Sequence, residues 1–108
     1  MKLLFVIIQK EDTKTLTDAL IDNDFSITRI SSTGGFLSGG NTTLMLGMEP
    51  ERVERCLELI KEKSSRRRTV TAPVNLQPRS MDATAAPFTV TVGGATVFVV
   101  DAEAFYKF

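Results

Sequence analysis

The residues that could recognise a ligand gather in one stretch. Residues 32–43 read STGGFLSGGNTT, with Gly34, Gly35, Gly39 and Gly40 inside seven positions. That glycine density forbids a regular element and makes a loop with wide backbone freedom. Bare N–H groups in such a loop can approach an anion. A plain connection is the simpler reading of the composition alone. The stretch is not a P-loop, since no Gly-Lys-Ser/Thr follows, and G-x-G-x-x-G spacing is missing. Phe36-Leu37 at its centre is either a packing anchor or a flat apolar surface for a base, where stacking is worth about 1–3 kcal/mol.

Three further positions fit a binding surface. Thr28 alternates with Phe25 and Ile27, and Asn41 and Gly47 alternate with Leu44 and Leu46. In strands, all three would point away from the apolar face. Asn can read an adenine edge with two hydrogen bonds. Gly47 leaves space where a side chain would stand. On spacing alone, Asn41 is better explained as the turn residue that opens its strand. Asn41-Thr42-Thr43 also spells a glycosylation sequon, which carries no weight without a secretion signal. Arg66-Arg67-Arg68 could meet phosphates, although a basic run at a helix end more often faces water and suits the helix dipole.

Bond chemistry is poorly supplied. His is absent, so no Ser–His triad, His acid–base pair or His-ligated metal can form within one chain. The single Cys, Cys56, falls on an apolar helix stripe and reads as core. It can form no intrachain disulfide, which suits a reducing, cytoplasmic setting. The carboxylates are scattered without an evident pair. Catalytic residues and a metal are therefore not expected. Thirteen Lys and Arg against thirteen Asp and Glu give zero net charge, so a general DNA or RNA binder is not expected. The longest apolar run, Leu3 to Ile8, is too short to span a bilayer or to serve as a secretion signal. No membrane partner is expected.

These residues need elements to position them. The 108 residues make one domain with enough apolar content for a core. Leu3 to Ile8 lacks alternation and predicts a central strand covered on both faces. Asp12 offers a helix N-cap, and Leu16, Ala19 and Leu20 recur at helical spacing up to a stop at Asn23-Asp24. Phe25 to Ser31 predicts a strand, although its alternation fails at Arg29-Ile30. Leu44, Leu46 and Met48 share one face of the next strand. Pro50 suits the first position of a second helix, with Val53, Cys56, Leu57 and Ile60 as its stripe. Residues 69–87 show no period and predict a long loop. Phe88–Val92, Gly93-Gly94 and Ala95–Val100 predict a closing hairpin.

The order is β-α-β, β-α-β and one more strand. It predicts an α+β fold, a ferredoxin-like sandwich with both helices on one face of an antiparallel sheet and an extra C-terminal strand. The first and last strands are nevertheless apolar on both faces. Something must cover the open side, and further copies of the chain are the simplest cover.

STGGFLSGGNTT at 32–43 and GGATVFVV at 93–100 resemble the motifs of the PII-like cyclic di-AMP receptors, the PstA/DarA family. The frame of Gln9, Phe25, Thr28, Phe105 and Phe108 is similar too. The resemblance covers nearly the whole chain as a single PII-like domain. It implies a cytoplasmic homotrimer that signals without catalysis or cofactor. One cyclic di-AMP would sit in each cleft between subunits, and loop rearrangement would alter the docking of a protein partner. The Gly-rich T-loop would be about 32–41, and a long B-loop about 64–87. Carried over by position, Thr28 and Asn41 would hydrogen-bond the adenine and nearby ligand groups. Gly35, Phe36 and Leu37 would close over the ligand, and Gly47 would keep the pocket open. The chain departs from the family pattern at Asp24 (typically Asn), Ser26 (typically Arg) and Lys107 (typically Gln). Lys107 and Arg29 stand as replacements for the missing guanidinium. A PII-like trimer that binds another nucleotide, or only a protein, is the alternative. A hydrolase of the acylphosphatase kind ranks far below, because no Gly-rich phosphate loop follows the first strand. An RNA-binding module lacks its exposed aromatic pairs.

Overall fold

The first strand, β1 (Lys2–Gln9), carries the fold. In the computed structural model, which describes residues 1–30, 40–71 and 88–108, it has a neighbour on each side. One is β3 (Asn41–Met48) and the other β6 (Ala95–Asp101), both antiparallel to it. The short edge strand β2 (Thr28–Ile30) completes the order β2-β3-β1-β6. The central placement expected of Leu3 to Ile8 is therefore observed.

Two helices cover one face. A 3-10 turn at Lys10–Asp12 leads into α1 (Thr13–Asp22). Another at Pro50–Arg52 leads into α2 (Val53–Ser64). Leu4, Val6 and Ile8 meet Leu44, Leu46 and Met48 from β3, Leu16 and Leu20 from α1, and Cys56, Leu59 and Ile60 from α2. All are buried, and this single cluster is the hydrophobic driving force of the fold. On α2 the buried stripe runs through Leu59, while Leu57 is 38% exposed on its flank. Four-residue spacing alone favoured Leu57; helix packing selected its neighbour two positions on.

The end of α1 shows why β2 is short. The Phe25 N–H donates to the Leu20 carbonyl and the Asp24 N–H to the Ile21 carbonyl, each at 3.0 Å. With Asp24 at φ 64, this is the hydrogen-bond pair of a Schellman cap. Phe25 and Leu20, both in the core, supply its apolar contact. Phe25 thus belongs to the helix cap, and the expected strand at 25–31 shrinks to Thr28–Ile30 among the described residues.

Two sequence expectations are overturned. The Arg run does not simply end a helix: β4 (Arg67–Thr71) pairs antiparallel with β5 (Phe88–Val92) as a separate two-stranded ribbon. β5 and β6 are correspondingly not a hairpin, since each pairs with a different strand. Gly93 (φ 81) and Gly94 (φ 106) form a corner between the ribbon and the main sheet. A tight hairpin and this corner both need positive φ, so the local sequence is the same for either.

Candidate functional site

The register sets the open face of the sheet. Thr28 pairs with Met45, Met45 with Phe5, and Phe5 with Phe98, so these four cross the sheet in one row. The flanking rows are Gly47, Leu3 and Val100 on one side, and Ile30, Thr43, Ile7 and Thr96 on the other. Strand alternation puts all of them on the face opposite the helices. Phe98 is 56% exposed and Val100 46%. Both-sided apolarity in β1 and β6 is real, and α1 and α2 cover only one side.

Thr28, Asn41 and Gly47 share this open face, as their parity in the sequence indicated. They do not form one cluster. Asn41 and Gly47 stand six residues apart on β3, about 20 Å at strand rise. Thr28 and Gly47 lie toward one end and Asn41 toward the other. Among the described residues, a Cβ added to Gly47 would meet only Met1 Sδ, at 3.7 Å, so none of them requires glycine there. Gly35, Phe36 and Leu37 lie outside the described residues, as do most of the T-loop at 32–41 and residues 72–87 of the B-loop. The start of that B-loop, Arg67–Thr71, is strand.

Asn41 borders a cavity of about 670 Å³ at the corner of the molecule. Gln9, its cross-strand neighbour, lines the cavity together with Ser65, Arg66, Gly93 and Gly94. The Gly93 N–H donates to Gln9 Oε1 at 2.7 Å, and the Gly94 N–H to the Ser64 carbonyl at 2.6 Å. The Lys10 N–H donates to the Gly40 carbonyl at 2.7 Å, which fixes the entry to β3. Lys61 and Arg66 bring positive charge to the rim. The cavity thus joins a base-reading amide to two cations, a set suited to a nucleotide. Sequence reasoning missed Gln9 and the Gly-Gly corner as neighbours of Asn41. Gln9 and Gly93-Gly94 carried a signal through the family resemblance, but none that placed them beside Asn41.

Directly behind this corner, Arg67 is already engaged. Its Nη2 donates to Asp12 Oδ1 at 2.6 Å and its Nη1 to Asp12 Oδ2 at 3.3 Å. The Asp12 side chain is 4% exposed. Asp12 occupies the expected N-cap position of α1 but makes no side-chain cap bond, because its carboxylate is committed to Arg67. That hydrogen bond and the Asp12 charge raise the Arg67 pKa. Arg66 and Arg68 remain exposed. Arg29 pairs with Leu44 and so lies on the helix side of β2, opposite to Thr28, where it lines one cavity together with Ser26. Lys107 is exposed in the C-terminal tail, where the Tyr106 and Phe108 rings stack 6.2 Å apart. Cys56 is fully buried, and desolvation pushes its thiol up to about 11. It is poorly suited as a nucleophile. No cluster of metal-ligating side chains occurs among the described residues, and no helix among them is long and apolar enough to cross a membrane.

Comparison with known proteins agrees with this architecture. A family model described as cyclic-di-AMP receptor matches residues 1–108, the whole chain. A crystal structure of a functionally unknown protein from Pediococcus pentosaceus ATCC 25745 is similar, with a TM-score of 0.81 and 41% identity. The match covers 99% of this chain and 96% of that one.

Proposed function

This chain belongs to the cyclic-di-AMP receptor family, and we propose that it is a non-enzymatic signalling protein that binds cyclic di-AMP between the subunits of a homotrimer. The whole-length family match carries the reading. Two features of the molecule support it. The apolar open face is large enough to need a partner, and identical copies supply one with no further component. Asn41 and Gly47 stand about 20 Å apart on β3, too far to hold one small ligand within a single chain, which suits a site shared between copies.

In this reading the Thr28 hydroxyl and the Asn41 amide hydrogen-bond the adenine and its surroundings. Gly47 leaves room for the ligand, and Gly35, Phe36 and Leu37 close over it. Binding shifts the T-loop and B-loop between populations, and that shift changes which protein docks in the cytoplasm. The ligand is a signal and is not transformed, and no cofactor takes part.

Calorimetric titration of the purified protein with cyclic di-AMP tests this. Saturable heat is expected, with affinity reduced about tenfold in Asn41→Ala, the cost of one lost bidentate contact. No heat and no thermal shift at high ligand concentration would overturn it. Ser26 and Asp24 favour one second reading, a trimer tuned to another nucleotide, because a phosphate clamp is missing where the family usually carries Arg. A parallel titration with ATP, ADP, GTP and cyclic di-GMP separates the two.

A further inference from the structure

A second cavity, of about 720 Å³, lies between α1 and the segment Phe25–Arg29 on the helix side of the sheet; Ser26 lines it, while Thr28 and Asn41 do not. Its floor is apolar, formed by Phe25, Ile27 and Leu44. The Phe25 ring is held from behind by the Arg52 guanidinium, 4.0 Å from its centroid. The polar rim is mostly positive: Lys10, Lys14 and Arg29 stand against one carboxylate, Asp18. Asp18 is taken by Lys14 at 2.7 Å, while Lys10 and Arg29 have no ion-pair partner among the described residues. Thr17 lines the same cavity, and its hydroxyl is shielded from solvent without a hydrogen-bond partner among the described residues. Arg29 stands where strand parity calls for an apolar residue, and this is where the sequence alternation failed.

We propose that this groove is a second binding site, for a small organic anion with an aromatic body. The ring would rest on Phe25, Ile27 and Leu44, and the acid group would lie between Lys10 and Arg29 within reach of the Thr17 hydroxyl. An unpaired buried hydroxyl and two unpaired cations beside an apolar floor form such a complement. The competing explanation is that an inward-facing cation guards the sheet edge at β2 against pairing with other strands.

Amide NMR titrations of the full chain separate the two, with phenyl phosphate and benzoate as the probes, and inorganic phosphate and phenol as half-probes. At least one aryl anion should give saturable shifts confined to Thr13–Asp18 and Phe25–Arg29. Whichever of phenyl phosphate and benzoate binds more tightly identifies the acid group. Inorganic phosphate and phenol should each bind about tenfold more weakly, since each lacks one half of the contact. Arg29→Ala and Lys10→Ala should each weaken the aryl anion about tenfold, and Thr17→Val about threefold. Asn41→Ala should leave this affinity unchanged, so a failure of cyclic di-AMP binding would not be mistaken for a failure here. Shifts that stay linear to about 10 mM for both aryl anions would overturn the proposal. So would saturable binding that Arg29→Ala does not weaken. Self-association of Arg29→Ala without any aryl-anion site in the parent protein would assign Arg29 to edge protection instead.

Discussion

Asp12 shows how little of a residue's role its local context reveals. An acidic residue before a helix is expected to cap it. Here its carboxylate instead receives both terminal nitrogens of Arg67, fifty-five positions away in sequence. All three consecutive arginines are exposed, yet only Arg67 is tied to the buried Asp12 carboxylate, and no spacing rule distinguishes it. Arg67→Ala should lower the urea midpoint far more than Arg66→Ala or Arg68→Ala, because it strands a buried carboxylate. Equal midpoints for the three variants would contradict this. Cys56 was legible as core, since its place on the helix stripe and its burial agree. Its folded-state pKa of about 11 lies above the ordinary 9.0, so ionisation favours the unfolded chain. The resulting stability is fully present below about pH 9 and is lost as pH rises toward 11. Urea midpoints should therefore fall more steeply across that window in the wild type than in Cys56→Ala. Native Cys56 should also resist a thiol reagent at pH 8 and react on unfolding.

The elements divide by how local their causes are. β1, both helices and β3 were readable because apolar periodicity, capping and proline placement act within a few residues. Asn23-Asp24 marked the end of α1 correctly, since a left-handed residue favours Asn or Asp. The ribbon was not readable. Arg67-Arg68-Thr69-Val70-Thr71 gains strand structure only from Phe88–Val92, some twenty residues away, and neither strand announces its partner. Gly93 is where the two parts lock. A Cβ there would lie 2.6 Å from the Ser65 carbonyl oxygen and crowd the Arg67 guanidinium. Gly93→Ala should destabilise the fold by about 2 kcal/mol, from a strained positive φ together with that clash. Leu46→Ala in β3 should cost about 3 kcal/mol through its cavity, with the ribbon corner intact. Chemical denaturation measures both. A Gly93→Ala change of a few tenths would show the corner to be slack.

At the scale of the molecule, the sequence indicated that the sheet has an uncovered apolar side, and the register supplies its composition. Thr28, Met45, Phe5 and Phe98 run across it in one row. Parity placed Thr28, Asn41 and Gly47 on that side; the proximity of Gln9 and the glycine corner to Asn41 was not legible, because it exists only after β1, β3 and the ribbon have met. Phe98→Asp places a charge on the exposed row while leaving the core cluster untouched. It should yield a folded monomer by sedimentation, with helix content retained. Sedimentation equilibrium with cyclic di-AMP, measured on the wild type beside Phe98→Asp, tests the central claim most directly. Three chains carrying three ligands, and a monomeric variant that binds none, is the predicted result. Full-affinity binding by the monomeric variant, or a wild type that stays a single chain with and without the ligand, would contradict it.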